Sequence, residues 1–171
     1  MLLLAMAGLA LPGCCSSLVG GRLPATIYLE PPITDTGIYE FRLTANGTTN
    51  TCQAQLWIPP QAGLAGAGGA SASSQIPDPI ARYCAPEQGG CVSCDESGGF
   101  LTPELEESGE RRIVSKLFLD ISPERAQLTI TRIDDGAVLF DGEVEFTYQV
   151  EYPNGRSCGE NRYGEATVDL E

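Results

Sequence analysis

The chain has 171 residues, 42% of them apolar, which is enough for one domain with its own core. Its net charge of −13 argues against nucleic acid as a partner and sets the surface against anionic headgroups. There is no histidine, which removes Ser-His-Asp and Cys-His nucleophile activation and every imidazole ligand, while 20 Gly and 12 Pro favour turns and strands over long helices.

Residues 2–11, LLLAMAGLAL, form an apolar run of only ten residues. That is too short to cross a hydrocarbon core of ~30 Å as a helix, and it has the length of a signal-peptide apolar region. Leu11-Pro12-Gly13-Cys14 follows. The tetrapeptide resembles the bacterial lipoprotein signal, with Leu three positions before the cysteine and a small residue just before it. It departs from that pattern at Pro12, and no Lys or Arg precedes the apolar run. The resemblance implies that residues 1–13 are a signal peptide and that Cys14 is lipid-modified. Residues 14–23 would then be a short tether holding residues 24–171 close to a membrane. Cys15, where inner-membrane lipoproteins carry aspartate, implies the outer membrane or the cell surface. Ordinary secretion and an unprocessed apolar terminus are the other two readings.

The spacing predicts a first strand over residues 24–29, closed by Pro31-Pro32. A hairpin follows over residues 36–57, where Asn46-Gly47 is the preferred dipeptide of a type I′ turn. That turn fixes the register: Leu43 opposite Asn50, Phe41 opposite Cys52, Tyr39 opposite Ala54. One face then carries Tyr39, Phe41, Leu43, Cys52, Ala54 and Leu56, and Cys52 points into the core. Asn46-Gly47-Thr48 is formally a glycosylation sequon but reads better as the turn itself. Residues 59–79 are a Gly/Ala/Ser-rich stretch with too little apolar surface to offset its ordering entropy. They read as a loop inserted between strands and open an irregular insertion over residues 59–110.

The insertion holds Cys84, Cys91 and Cys94. The Cys91–Cys94 spacing has three readings. Zinc would want a fourth ligand, and only three cysteines cluster here with no histidine in the chain. A thioredoxin-like redox pair would want to open a helix after a strand. Structural disulfides fit an exported protein best, so no metal and no cofactor is expected. With Cys14 lipidated, the disulfide candidates are Cys52, Cys84, Cys91, Cys94 and Cys158, with Cys15 at the membrane end of the tether. The preferred bridges join Cys52 to one loop cysteine, and a second loop cysteine to another or to Cys158.

Thr102-Pro103 predicts one or two helical turns, capped by Thr102 and ended by Gly109. Residues 111–121 return to strand with imperfect alternation, as for a strand buried on both sides. A second hairpin follows, with Ala126, Leu128 and Ile130 on one face and Asp134-Asp135-Gly136 as its turn. Its return segment alternates without a break: Val144, Phe146, Tyr148, Val150 and Tyr152 against Glu143, Glu145, Thr147, Gln149 and Glu151. The last strand turns Ala166, Val168 and Leu170 inward.

Seven or so strands with turn signals predict an all-β fold: an antiparallel β-sandwich, immunoglobulin-like, with a long loop and a cysteine-stapled insertion. The run from Leu128 to Cys158, with YEFRLTANGTTNTCQAQL upstream, resembles small lipoproteins of myxobacterial type. It departs from them after Cys158, where GENRYGEA lacks a second cysteine. The resemblance implies location and fold and no activity. The expected function is a non-catalytic, surface-anchored interaction or envelope-structural domain, not an enzyme, exported and bound to a membrane through its lipid, with a protein or glycan partner. The alternative is a cation- or carbohydrate-binding module using Asp134, Asp135, Asp141, Glu143, Trp57 and Tyr163. A hydrolase built on paired carboxylates is the third class, and no pair stands out in the sequence.

Overall fold

A computed structural model describes residues 25–58, 89–95, 99–109, 111–152 and 161–171. The residues read as signal peptide and tether, with Cys14 and Cys15, the Gly/Ala/Ser-rich stretch, Cys84 and Cys158 lie outside the described residues. Among the described residues there are ten strands and no helix. They are β1 (Ala25–Ile33), β2 (Gly37–Ala45), β3 (Thr48–Leu56), β4 (Gly90–Cys94), β5 (Leu101–Ser108), β6 (Arg111–Leu119), β7 (Arg125–Arg132), β8 (Ala137–Glu145), β9 (Thr147–Glu151) and β10 (Asn161–Asp169). One sheet has the order β5-β6-β1-β10-β9 and the other β4-β3-β2-β7-β8. All neighbours are antiparallel except β1 and β10, which run parallel. The chain changes sheet after β1, β4, β6 and β8, the cross-sheet connectivity of an immunoglobulin-like sandwich with five strands in each layer.

The core fills the space between the sheets. The β2–β3 hairpin has the register its turn predicts, with Asn46 and Gly47 at φ 52° and 76°. Its inward face, Tyr39, Phe41, Leu43, Cys52, Ala54 and Leu56, is buried throughout. Phe41 stands between Cys52 on β3 and Ile130 on β7, so the hydrophobic rows of the two hairpins merge into one layer. Leu117, Leu119, Val114, Ile27 and Leu29 face them from the other sheet and are as fully buried. Asn50 is the buried polar residue of the core, at 2% exposure. Its Oδ1 accepts the Phe100 backbone N–H at 2.7 Å, which ties the chain entering β5 to β3.

Four local expectations are corrected. Residues 102–108 lie in the strand β5, not a helix: they pair with β6 along their length, and Pro103, which cannot donate to a ladder, sits on an edge strand where that costs nothing. With β4, β5 places regular structure inside the stretch read as an irregular insertion over 59–110. Strand β1 continues through Pro31-Pro32 to Ile33, across an irregularity between Tyr28 and Ile33. The imperfect alternation of β6 is a bulge at Ser115, which both neighbouring ladders skip. The bulge brings Val114 and Leu117 to the same inward face. Finally, the unbroken alternation of residues 143–152 is two strands in two sheets. β8 loses its partner where β7 begins, at Arg125 opposite Glu145, and the chain crosses at Phe146 to pair with β10. The Phe146 N–H donates to the Glu124 carbonyl at that crossing, 3.0 Å away.

Candidate functional site

Three groups of residues singled out by the sequence can be placed. The first is the cysteines. β4 pairs antiparallel with β3 and sets Cys94 directly opposite Cys52. The two form a disulfide with Cα atoms 4.0 Å apart. Cys91 is disulfide-bonded as well. Cys91 and Cys94 are not joined to each other, because residues three apart on a strand point to opposite faces. Cys94 packs against the core, whereas Cys91 stands opposite Gln55 on the outer face and is nonetheless buried. Oxidation takes these sulfurs out of any thiolate metal site. The Cys52 sulfur carries no proton, so its 3.1 Å approach to the Leu101 carbonyl oxygen is a packing contact between β3 and β5. The bridge therefore fastens edge strand β4 to the sheet, next to the strand that opens the opposite sheet.

The second group is the acids. Asp134 accepts the Ile38 backbone N–H at 2.9 Å, and Asp135 accepts the Ala137 N–H at 3.1 Å. Asp141 accepts from the Thr129 hydroxyl at 3.0 Å and from the Gln127 amide at 3.2 Å. Glu143 and Glu145 share Arg125, at 3.3 and 2.7 Å. Each is held by the strand or turn next to it. Among the described residues, no group of three or more acid or cysteine side chains stands close enough to hold a metal ion. Asp134 and Asp135 lie beside a groove of about 210 Å³ lined by Pro31, Ile33, Tyr39, Arg132, Leu139 and Leu170. Burial raises the Tyr39 pKa, with Asp35, Asp134 and Asp135 adding to the rise against Arg132, and its hydroxyl donates to the Asp35 carbonyl at 3.0 Å.

The third group is the aromatics. Trp57 follows β3 at the end of the sandwich where β1 finishes, since β3 and β1 both run towards it. Tyr163 is on β10 at the other end, where β1 begins. There, Ala25 is level with Gly164. Residues 161–163 of β10 pair with β9, whose Glu151, Val150 and Gln149 stand opposite them. Val150, Tyr152 and Tyr163 are exposed there, at 42, 41 and 37%. On the face of Val150 and Tyr148, the Arg162 guanidinium lies over the Tyr148 ring, 4.5 Å from its centroid, while Tyr163 is on the opposite face. The Tyr148 hydroxyl donates to the Pro123 carbonyl at 2.6 Å. Burial raises the Tyr148 pKa, with the Arg162 charge and a Ser122 hydrogen bond pulling the other way. Sequence reading had Val150 and Tyr152 as part of a dry face. Their side of the sheet does face inward by alternation, but β8, the described strand of the opposite sheet nearest in sequence, ends at Glu145, and both side chains are exposed.

Compared with protein-family models, with curated proteins and with solved structures, the chain gives no match.

Proposed function

We propose that this chain is a non-catalytic lipoprotein of the bacterial envelope, exported, acylated at Cys14 and held at the outer membrane or cell surface, where it acts as an interaction or envelope-structural domain toward a protein or glycan. The observation that carries the reading is the position of the lipoprotein-type tetrapeptide. Leu11-Pro12-Gly13-Cys14 follows a ten-residue apolar run, and the sandwich opens at Ala25, eleven residues beyond the cysteine. A spacing of that length gives an anchor room to leave the bilayer surface before folding begins. The resemblance to small myxobacterial-type lipoproteins supports the same location. The non-catalytic part is supported by the acids of the β7–β8 hairpin, which hold their own turn and neighbouring strands.

The test is intact-mass measurement of the chain recovered from a bacterial membrane fraction, beside a Cys14→Ser variant. The expected result is a mature chain that starts at Cys14 with acyl and diacylglyceryl groups added, and a variant that leaves the membrane fraction. A membrane-bound Cys14→Ser protein, or an unmodified wild type, would refute the proposal.

A further inference from the structure

Two adjoining hollows lie at the end of the sandwich where β1 and β10 finish. The first is the groove of about 210 Å³ beside the Asp134-Asp135 turn, with Pro31, Ile33, Leu139 and Leu170 as its apolar lining and Asp35 and Glu171 as its acids. The second, of about 340 Å³, is lined by Val138, Leu139, Phe140, Asp141, Asp169 and Glu171. Leu139 and Glu171 belong to both, and the backbone shows why. Past β10 the Leu170 N–H donates to the Glu30 carbonyl of β1 at 2.7 Å, and the Glu171 N–H donates to the Leu139 carbonyl of β8 at 3.1 Å. The chain crosses from one sheet to the other there, and both hollows border that crossing.

The charges of the two linings do not balance. They carry four acids, Asp35, Asp141, Asp169 and Glu171, against one cation, Arg132. Arg132 is already engaged, since it donates to the Thr36 carbonyl at 3.0 Å and stands 3.9 Å from Asp135. All four acids are exposed, and Asp35, Asp169 and Glu171 form no ion pair among the described residues. Among the described residues no three acids stand close enough to share a metal ion. Separated carboxylates above apolar lining suit an organic cation with an aliphatic stem, the form of a lysine or arginine side chain. An exposed ion pair holds little by itself, so a ligand gains by making two such contacts at once. The hollows are at or below the small end of the range of about 300–1,000 Å³ that encloses a free small molecule, and single side chains of a larger partner fit them better.

We infer that the two hollows dock a basic segment of a partner protein, two of whose lysine or arginine side chains lay their stems on Ile33, Leu139 and Phe140 and bring their charged heads to Asp35, Glu171 and Asp169. The inference rests on the reading of this chain as an interaction domain, narrows its partner to a protein, and does not depend on acylation at Cys14. The net charge of −13 draws a basic partner from a distance and sets a second copy of the chain against the first. A linear polyamine carries the same ammonium groups. The shared Leu139 and Glu171 lie between the hollows, however, so a ligand that fills both must pass over them. A polypeptide does so with its backbone and sends a side chain down on either side, whereas a linear polyamine has no branch to send.

The experiment titrates the full chain, isotope-labelled and held in a nonionic detergent, with a heptapeptide of alternating glycine and lysine blocked at both ends, and follows the backbone amides by NMR. The same peptide with norleucine for lysine keeps the stems and removes the charge, while spermidine keeps the charge and removes the branches. The expected result is saturable shifts at Ile33, Asp35, Leu139, Leu170 and Glu171 with the lysine peptide, and binding of either control about tenfold weaker, the loss of two exposed ion pairs. Asp35→Asn and Asp169→Asn, exposed changes in different hollows, should each weaken the lysine peptide about threefold, as the loss of one such pair does. Equal binding of the norleucine peptide would overturn recognition by charge, and equal binding of spermidine would overturn the polypeptide. Shifts at other residues only, no shifts, or two variants that bind as the wild type does would overturn the site, and would leave the interaction-domain reading standing on a glycan partner. A full chain found unacylated by intact mass would sink the anchor and leave this inference standing.

Discussion

Removing the Cys52–Cys94 bridge should destabilise the domain by about 4 kcal/mol. The two cysteines are 42 residues apart in sequence, and cross-linking them removes loop-closure entropy from the unfolded chain. For a loop of that length the chain-entropy relation gives about 13 cal/mol/K, or about 4 kcal/mol at 25 °C. The relation assumes a flexible loop, and the Gly/Ala/Ser-rich stretch within this one meets the assumption better than most sequences. The double variant Cys52→Ala/Cys94→Ala is preferable to either single change, which would leave an unpaired thiol. It also trims two sulfurs from sites packed against the core, worth about 1 kcal/mol more. Urea unfolding without reductant, followed by Trp57 fluorescence, measures the loss. For a domain of this size it corresponds to a fall in melting temperature of roughly 8–16 °C. A companion variant deletes residues 61–74, fourteen residues of the loop. With the bridge intact it should change stability by less than about 0.5 kcal/mol, because closure entropy varies only with the logarithm of length. A loss below about 1 kcal/mol in the double variant would refute the entropic account and place the stability of β4 in its packing instead.

Glu106 accepts a short charge-assisted hydrogen bond from Lys116 across β5 and β6, with Glu104 3.7 Å away from the same ammonium. The Lys116 bond lowers the Glu106 pKa, and the Glu106 bond raises that of Lys116. The pair's contribution is thus present above the unfolded pKa of Glu106 and lost as pH falls through the folded one. At the alkaline side it is present below the unfolded pKa of Lys116 and lost as pH rises through its folded one. In Lys116→Met, NMR titration should show the Glu106 carboxyl returning towards the ordinary range; an unmoved midpoint would contradict the assignment. Gly164→Ala should cost about 1–3 kcal/mol, since a Cβ there would meet the Tyr148 ring at 2.7 Å and the Ala25 Cβ at 2.9 Å, and calorimetry showing an unchanged melting temperature would rule out that close approach. Truncation after Gly164 removes Glu165–Asp169 of β10, which make five of its six pairs with β1, and soluble, cooperatively melting protein should not be recovered. Calcium should leave the melting temperature unmoved, because Asp134, Asp135 and Asp141 already accept protein donors; a rise would favour the cation-binding alternative.

Legibility along this chain followed the range of the interaction. The β2–β3 register could be read to the residue because a two-residue Asn-Gly turn and period-two alternation are local, and they agree. Asn50 could have been found by the same reasoning: the register puts an amide opposite inward Leu43, and a buried amide must find a partner. Residues 102–109 were misread because Thr-Pro followed by Glu, Leu and Glu favours a helix locally, while β6 supplies a full ladder from residues further on. The β4 disulfide lay between these cases. Cys52 could be placed in the core, but its choice among the loop cysteines depended on β4 pairing with β3, which nothing in GCVSC itself announces.

The break at Phe146 is a further case. Alternation specifies which side chains share a face, and it held from Val144 to Tyr152 without a flaw. It does not specify which strand lies opposite. β7 starts at Arg125, so anything past Glu145 has no partner in that sheet and must change to β10. The same change that splits one apparent strand into β8 and β9 carries its last apolar residues past the last described residue of β8. A hydrophobic pattern that reads as core from the sequence thereby becomes exposed surface, at the end of the sandwich where β1 begins. An apolar–polar repeat that outruns its pairing partner is thus a marker of surface rather than core, and in this chain it marks Val150 and Tyr152.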